Sequence, residues 1–309
     1  MTNWTQRAAA GTEQATPGSY GEPPRGFRLP AATSVGAVRL KIANLARSLA
    51  FYQEVLGLRV VADPPGRATI AAFGDDCVLI DLVEVPGTQA VGRLARLGLY
   101  HFAILLPDRS ALGRLARHLS TTGVPVGAGD HLVSEALYVS DPDGLGIEVY
   151  ADRPRSTWRR VGRELQMATD GVDVPGLVEA AGDTPWTGMP AGTAMGHVHL
   201  RVGDIARAAS FYADALGFDR TTWRYPGALF LGAGGYHHHV GVNTWAGPDA
   251  RPAGPGEARL LEWTLTLPDA AGVQALESSL VANGHPSERD ADTVVTRDPW
   301  DTAVRVQAR

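Results

Sequence analysis

Residues 198–204 read Val-His-Leu-Arg-Val-Gly-Asp, and residues 211–218 read Phe-Tyr-Ala-Asp-Ala-Leu-Gly-Phe. An echo stands earlier in the chain: Val-Arg-Leu-Lys-Ile-Ala-Asn at 38–44 and Phe-Tyr-Gln-Glu-Val-Leu-Gly-Leu at 51–58. Both pairs share an offset of 160 residues (198 − 38 and 211 − 51). A repeat that keeps two motifs in step marks a duplicated structural unit. Val198, Leu200 and Val202 alternate with polar residues, the signature of a strand with one face in a core. Asn44 and Asp204 are placed to cap the helices that follow, because their side-chain oxygens accept from free backbone N–H groups. Leu45, Leu49, Tyr52 and Leu56 form one helical stripe, and Ile205, Ala209, Tyr212 and Leu216 form its counterpart. Gly57 and Gly217 are the expected stops, since glycine adopts positive φ freely.

Outward from this pair, each copy continues into short strands: Thr69–Phe73 and Val78–Val83, then Leu229–Gly232 and Tyr236–Asn243. Two further segments share the plan. His101–Leu106 is a strand, Asp108 a cap and Ser110–Leu119 a helix, followed by strands near Leu137–Val139 and Ile147–Tyr150 around an Asp141-Pro142-Asp143-Gly144 turn. Leu261–Leu267, the Asp269 cap and the Ala270–Ala282 helix repeat the plan near the C-terminus. The chain therefore reads as an α+β protein of four βαβββ modules, at about 36–84, 98–151, 195–244 and 260–308. In chain order this gives a tail (1–35), a first two-module domain (36–151), a connector (152–194) and a second two-module domain (195–309). The tail is rich in Gly, Pro, Ala and Thr and is expected to be disordered. In the connector, Trp158, Leu165, Met167, Val172, Leu177 and Val178 point to packed portions, while Pro175, Pro185 and Pro190 oppose one long helix.

Composition narrows the function. Of 309 residues, 44% are apolar and 20% charged, as in ordinary globular proteins. A net charge of −5 with no dense basic stripe speaks against nucleic acid as partner. No apolar run approaches the roughly 20 residues of a membrane span, so no membrane association is expected. The single cysteine, Cys77, rules out an intramolecular disulfide and fits a cytoplasmic location. It sits in an apolar run and is expected to be an inert core residue.

Four βαβββ modules, the repeated Phe-Tyr-x5-Gly element and the Asp-Pro-Asp-Gly-x-x-x-Glu motif resemble the vicinal-oxygen-chelate superfamily. That group includes glyoxalase I, extradiol ring-cleaving dioxygenases and bleomycin-resistance proteins. The segments Asp130–Tyr138, Gly196–Leu200 and Gly235–His239 look most like bacterial catechol-2,3-dioxygenases. The resemblance implies two half-barrel domains. It also implies metal ligands at the start of a module's first strand and on its last strand. Carried over module by module, the first-strand positions are Ala37, His101, His197 and Glu262, and the last-strand positions include Glu148 and Arg305. Pairing modules two and three unites His101, Glu148 and His197, a two-histidine, one-carboxylate set suited to Fe(II), with Mn(II), Ni(II) or Zn(II) as alternatives. Modules one and four would then enclose a second cavity without metal. An exchange of modules between subunits of a homo-oligomer would satisfy the same constraint.

The same resemblance makes His238 the acid/base histidine and Tyr138 an active-site tyrosine; His131, in the loop before the Tyr138 strand, is placed to donate a proton or gate the pocket. In a strand at 236–243, His238 would face opposite His237 and His239. His199, on the same strand face as His197, and Tyr236 are the expected substrate contacts. These residues point to an Fe(II)-dependent extradiol dioxygenase that opens a catechol-like ring with both atoms of O2. A glyoxalase-like lyase or isomerase would need a fourth ligand, a second Glu or Gln. A non-enzymatic drug-binding protein would not need the full triad.

Overall fold

The structure, a computed structural model, describes residues 11–92 and 96–309. Two eight-stranded mixed sheets, each a half-barrel, carry the architecture. The first runs, in spatial order, Asp219–Thr222, Ala228–Gly232, Val240–Asn243, Ala194–Arg201, Gly98–Leu105, Gly146–Asp152, Ser134–Ser140 and Gly127–Asp130. It is built wholly from modules two and three. The second joins modules one and four through the antiparallel pair Ser34–Ile42 and Arg259–Leu267. Modules therefore pair across the chain and not in simple succession.

The four caps form as the sequence suggests. Asn44, Asp108, Asp204 and Asp269 accept from the backbone N–H of Arg47, Ala111, Arg207 and Gly272. Each satisfies an N–H that the helix itself cannot. Gly57 and Gly217 stand at φ +67° and +94°, closing their helices in the left-handed region. Both repeat helices widen into a π-turn in their second half, at Phe51–Val55 and Ser210–Ala215. The wider turn lets adjacent aromatics, Phe51-Tyr52 and Phe211-Tyr212, both turn inward in edge-to-face contact.

The inward tyrosines tie neighbouring modules together. Tyr52 donates to Asp141 in the turn of module two (3.1 Å), and Tyr212 donates to Asp298 in the matching turn of module four (2.8 Å). Asp141 also accepts from the backbone of Asp143 and Leu145. Burial pushes its carboxyl up to about 7, against the lowering effect of these donors.

The structure corrects several sequence expectations. Residues 11–35 are not a disordered tail. Glu13–Gln14 pairs antiparallel with Arg159–Val161, Glu22 bridges to Arg220, and Tyr20 and Leu29 are buried. A polar segment without its own hydrophobic pattern is ordered here by other segments' backbone. Residues 1–10 lie outside the described region. Cys77 is exposed, in the loop after Ala72 that the Gly74-Asp75-Asp76 run forms before the Val78–Glu84 strand. The strand expected over 236–243 is regular only at Val240–Asn243, since the turn at Gly234-Gly235, both at positive φ, reaches into the histidines. In the connector, Trp158, Leu165 and Leu177 are buried, as their apolar character suggests. Among the described residues, no helix is long and apolar enough to cross a membrane.

Because Asp141 holds its proton more tightly folded than unfolded, its contribution to stability is complete below about pH 4 and is lost as pH rises through about 7. Urea denaturation across this range should show a decline that Asp141→Asn flattens. Tyr212→Phe should cost about 1–3 kcal/mol at neutral pH, the usual cost of a lost buried hydrogen bond.

Candidate metal centre

Strand register brings the donors together. Ala103, in the middle of Gly98–Leu105, is flanked by Glu148 on the parallel neighbour Gly146–Asp152 and by His197 on the antiparallel neighbour Ala194–Arg201. His101, two residues before Ala103, projects from the same face. His101 Nε2 lies 3.0 Å from Glu148 Oε2 and His197 Nε2 lies 3.4 Å from the same oxygen. One ligand atom from each of the three falls within 4.8 Å of the others, and all three residues are buried.

This geometry is unfinished without a cation. His101 Nε2 and both ring nitrogens of His197 are buried and make no properly directed hydrogen bond. Orphaned buried nitrogens are costly, each forfeiting its water partners for nothing. Burial pushes His197 down to about 4, so its imidazole is neutral near pH 7. Burial raises Glu148, but the adjoining imidazoles outweigh it and hold the carboxyl well below its usual range. A neutral His197 imidazole beside a carboxylate is the protonation state that divalent-metal binding requires. The donor set fits a metal ion.

The register also identifies the fourth ligand position. The last-strand residues opposite the first strand's third position are Asp81 in module one, Glu148 in module two, Gly241 in module three and Arg305 in module four. Gly241 offers no donor, and a Cβ there would stand 2.9 Å from the His199 ring. The triad therefore keeps an open side. In the other half-barrel the corresponding positions are Ala37, Asp81, Glu262 and Arg305. Arg305 pairs with Glu262 (2.8 Å), and Arg39 joins Asp81 (2.6 Å) and Glu262 (3.4 Å). Ion pairs occupy the place of a metal. Asp81 escaped the sequence reading because module one lacks the Asp-Pro-Asp-Gly motif that marked Glu148.

A cavity of about 260 Å³ opens onto the triad, and His131, Tyr138, His199 and His238 all line it. A larger cavity of about 330 Å³ lies toward Arg259 and Trp300 and touches none of the triad. Chemistry favours the smaller one. His131 Nδ1 donates to the Ala168 carbonyl (2.7 Å), leaving Nε2 to accept from the Tyr138 hydroxyl (2.5 Å). Burial and the nearby Glu148 push the Tyr138 hydroxyl well above its usual pKa, so it remains a donor. His199 Nε2 accepts from the Asn243 amide (3.0 Å), whose oxygen takes the backbone N–H of Trp245. The His238 ring packs 4.1 Å from His197, centre to centre, and burial pushes it well below the usual histidine range.

Tyr236 departs from expectation. It is absent from the cavity wall, and its hydroxyl meets those of Tyr150 (2.6 Å) and, more distantly, the Asp152 carboxylate (3.3 Å). The irregular backbone at 236–239 turns it behind the histidines. Gly196 makes room for this arrangement, since a Cβ there would lie 1.9 Å from the Tyr150 hydroxyl. Sequence reasoning missed the aromatic walls, Tyr100, Tyr225, Phe230 and Trp245. Their only signal was aromatic type, which a core residue shares.

A family profile described as the glyoxalase/bleomycin resistance protein/dioxygenase superfamily matches residues 34–149 and 194–283. The chain belongs to that superfamily. It is 45% identical over 271 residues to a catechol-2,3-dioxygenase of Bacillus subtilis, covering 86% of this chain and 94% of that protein. This relationship sets it on the dioxygenase branch. A lactoylglutathione lyase of Neisseria meningitidis is 32% identical over 117 residues, 35% of this chain and 83% of that one. In fold it is similar to a solved Bacillus subtilis protein provisionally assigned as a dioxygenase (TM-score 0.63, 13% identity, 91% of this chain and 86% of that one). It is also similar to a glyoxalase I variant from Zea mays (TM-score 0.54, 16% identity, 89% and 92%).

Gly196→Ala should force Tyr150 away from Tyr236 and cost about 1–3 kcal/mol, the range for overpacked cores. Chemical denaturation measures it. An unchanged midpoint would mean the two hydroxyls do not meet as described.

Proposed function

We propose that the protein is an Fe(II)-dependent extradiol dioxygenase that opens a catechol-like ring beside its two hydroxyls. The observation that carries this reading is the buried His101–Glu148–His197 set with Gly241, and no fourth donor, at the remaining position. Three protein ligands with an open side suit a non-heme Fe(II) that must receive other ligands. The fold's other metal chemistry, of the lyase and isomerase kind, calls for a carboxylate base by the metal, and position 241 offers none. Mn(II), Ni(II) or Zn(II) would fit the same donors. The lone cysteine and ordinary charge suit a cytoplasmic enzyme acting on a small aromatic molecule and O2.

Bound at these residues, Fe(II) would supply Lewis acidity toward adjacent ring oxygens and electrons for dioxygen. The remaining work falls to the side chains around it. His238, neutral and facing the cavity, takes the proton a catechol hydroxyl gives up and can return it later. The Tyr138 hydroxyl, poised on His131, is a donor to oxygen atoms that gain charge as the ring opens. His199, held by Asn243, and the aromatic walls orient the flat ring. Catechol and O2 together account for every atom of the ring-opened hydroxy-aldehyde acid, so no external reductant is needed.

Protein purified without oxygen should contain close to one iron per chain. Adding catechol and air should give a yellow ring-cleavage product with matching O2 uptake. Glu148→Gln should abolish stoichiometric iron retention. His238→Gln should retain iron and lower kcat by about 10²–10⁴-fold, the range for a general acid/base. A metal-loaded protein that consumes no oxygen with any catechol would refute the reading.

A further inference from the structure

Behind His238 runs a line of polar contacts that the proposed chemistry does not yet use. His238 Nδ1 lies 2.7 Å from His237 Nδ1. His237 Nε2 lies 3.0 Å from Asp152 Oδ1. The same carboxylate oxygen takes the Tyr236 hydroxyl, which is itself bonded to Tyr150. His237 is wholly buried, packed against the rings of Tyr150, Trp158 and Tyr236. Asp152 keeps 28% of its side chain exposed. Neither His237 nor Asp152 lines the cavity.

We infer that Asp152 and His237 are positioning residues that fix the tautomer of His238, so that it presents a bare Nε2 to the substrate. This rests on His238 being the acid/base group of the proposed reaction. The logic follows from donors and acceptors alone. A carboxylate only accepts, so His237 Nε2 carries the proton. A neutral His237 then has a lone pair at Nδ1. Two ring nitrogens 2.7 Å apart share one hydrogen, so it belongs to His238 Nδ1. Neutral His238 is left with a lone pair at Nε2, which makes no hydrogen bond to any described residue. Without the Asp152 acceptor, the proton of a neutral His237 can sit on Nδ1 instead, and the shared hydrogen then leaves His238 with its own proton on Nε2. The site would then offer a donor in place of a base. The hydrogen bond at the far nitrogen thus decides which face the near one shows.

The test is nitrogen NMR of histidine-labelled, full-length protein loaded with diamagnetic Zn(II), with His238 assigned by its loss in His238→Gln. The expected result is a protonated Nδ1 and a bare Nε2 at His238. Asp152→Ala should shift His238 toward the Nε2-protonated form. In the iron-loaded enzyme it should lower kcat about 10–100-fold, as lost second-layer partners do, with little change in KM. Asp152→Glu should restore both. Asp152→Asn, which keeps an acceptor oxygen and perturbs packing least, should retain the tautomer if Asp152→Ala fails to fold. A proton on Nε2 of His238 in the native protein would overturn the inference. So would an Asp152→Ala protein with native tautomer and kcat. Because the NMR needs no turnover, the expected tautomer in a protein that cleaves no catechol would sustain this inference and sink only the proposed reaction.

Discussion

Everything at the candidate centre depends on the antiparallel pairing of Gly98–Leu105 with Ala194–Arg201. These strands come from modules almost a hundred residues apart in sequence, and their register puts His101, Glu148 and His197 around one small residue, Ala103. Alanine matters there. A larger side chain between the two ligand strands would occupy the space into which the donors converge. The result is a buried carboxylate facing imidazole nitrogens that lack hydrogen bonds. Such a cluster costs several kcal/mol unless compensated. The large core shared by both half-barrels supplies compensation in the folded chain, and a divalent ion would supply more.

The duplicated half-barrel shows the alternative solution. Its four equivalent positions hold Ala37, Asp81, Glu262 and Arg305. Two carboxylates there are neutralised by Arg39, Arg67 and Arg305. Three guanidiniums against those two carboxylates leave no net negative charge there to attract a cation. One ancestral plan thus yields an open centre in one copy and a closed ionic network in the other. The tyrosine-to-turn-aspartate contacts Tyr52–Asp141 and Tyr212–Asp298 each run from one half-barrel to the other, and they form whichever solution each half-barrel adopts, which separates what the fold needs from what the chemistry needs.

Much of this was legible in the sequence because it rests on local chemistry. Caps and glycine stops announce themselves within a few residues, the repeat through its constant offset, and the three donors through the family resemblance. What escaped depends on the third dimension. The π-turns respect the same apolar stripe as an α-helix, so periodicity is blind to them. Asp81 lies in a module with no turn motif to flag it, and only strand register reveals its equivalence to Glu148. A regular strand through 236–243 would put Tyr236 on the same face as His238. The Gly234-Gly235 turn breaks that alternation and sends the tyrosine backwards. The loop carrying Cys77 likewise overrides the apolar run that follows it.

The segment that composition misjudged most, residues 11–35, bears directly on the site. Glu13–Gln14 adds an edge to the connector hairpin formed by Arg159–Val161 and Glu164–Leu165. Ala15, Tyr20, Val133, Trp158, Leu165 and Tyr236 then form a small core of their own. The Tyr20 hydroxyl donates to the Gly235 carbonyl at 2.5 Å, on the turn just before the histidines. This second core is the floor on which His237 rests, and His237 is the contact through which His238 is aimed. A stretch with no apolar rhythm therefore helps to hold a side chain some two hundred residues away. It does so through backbone pairing and one tyrosine, neither of which depends on the periodic pattern that marks a helix or a strand.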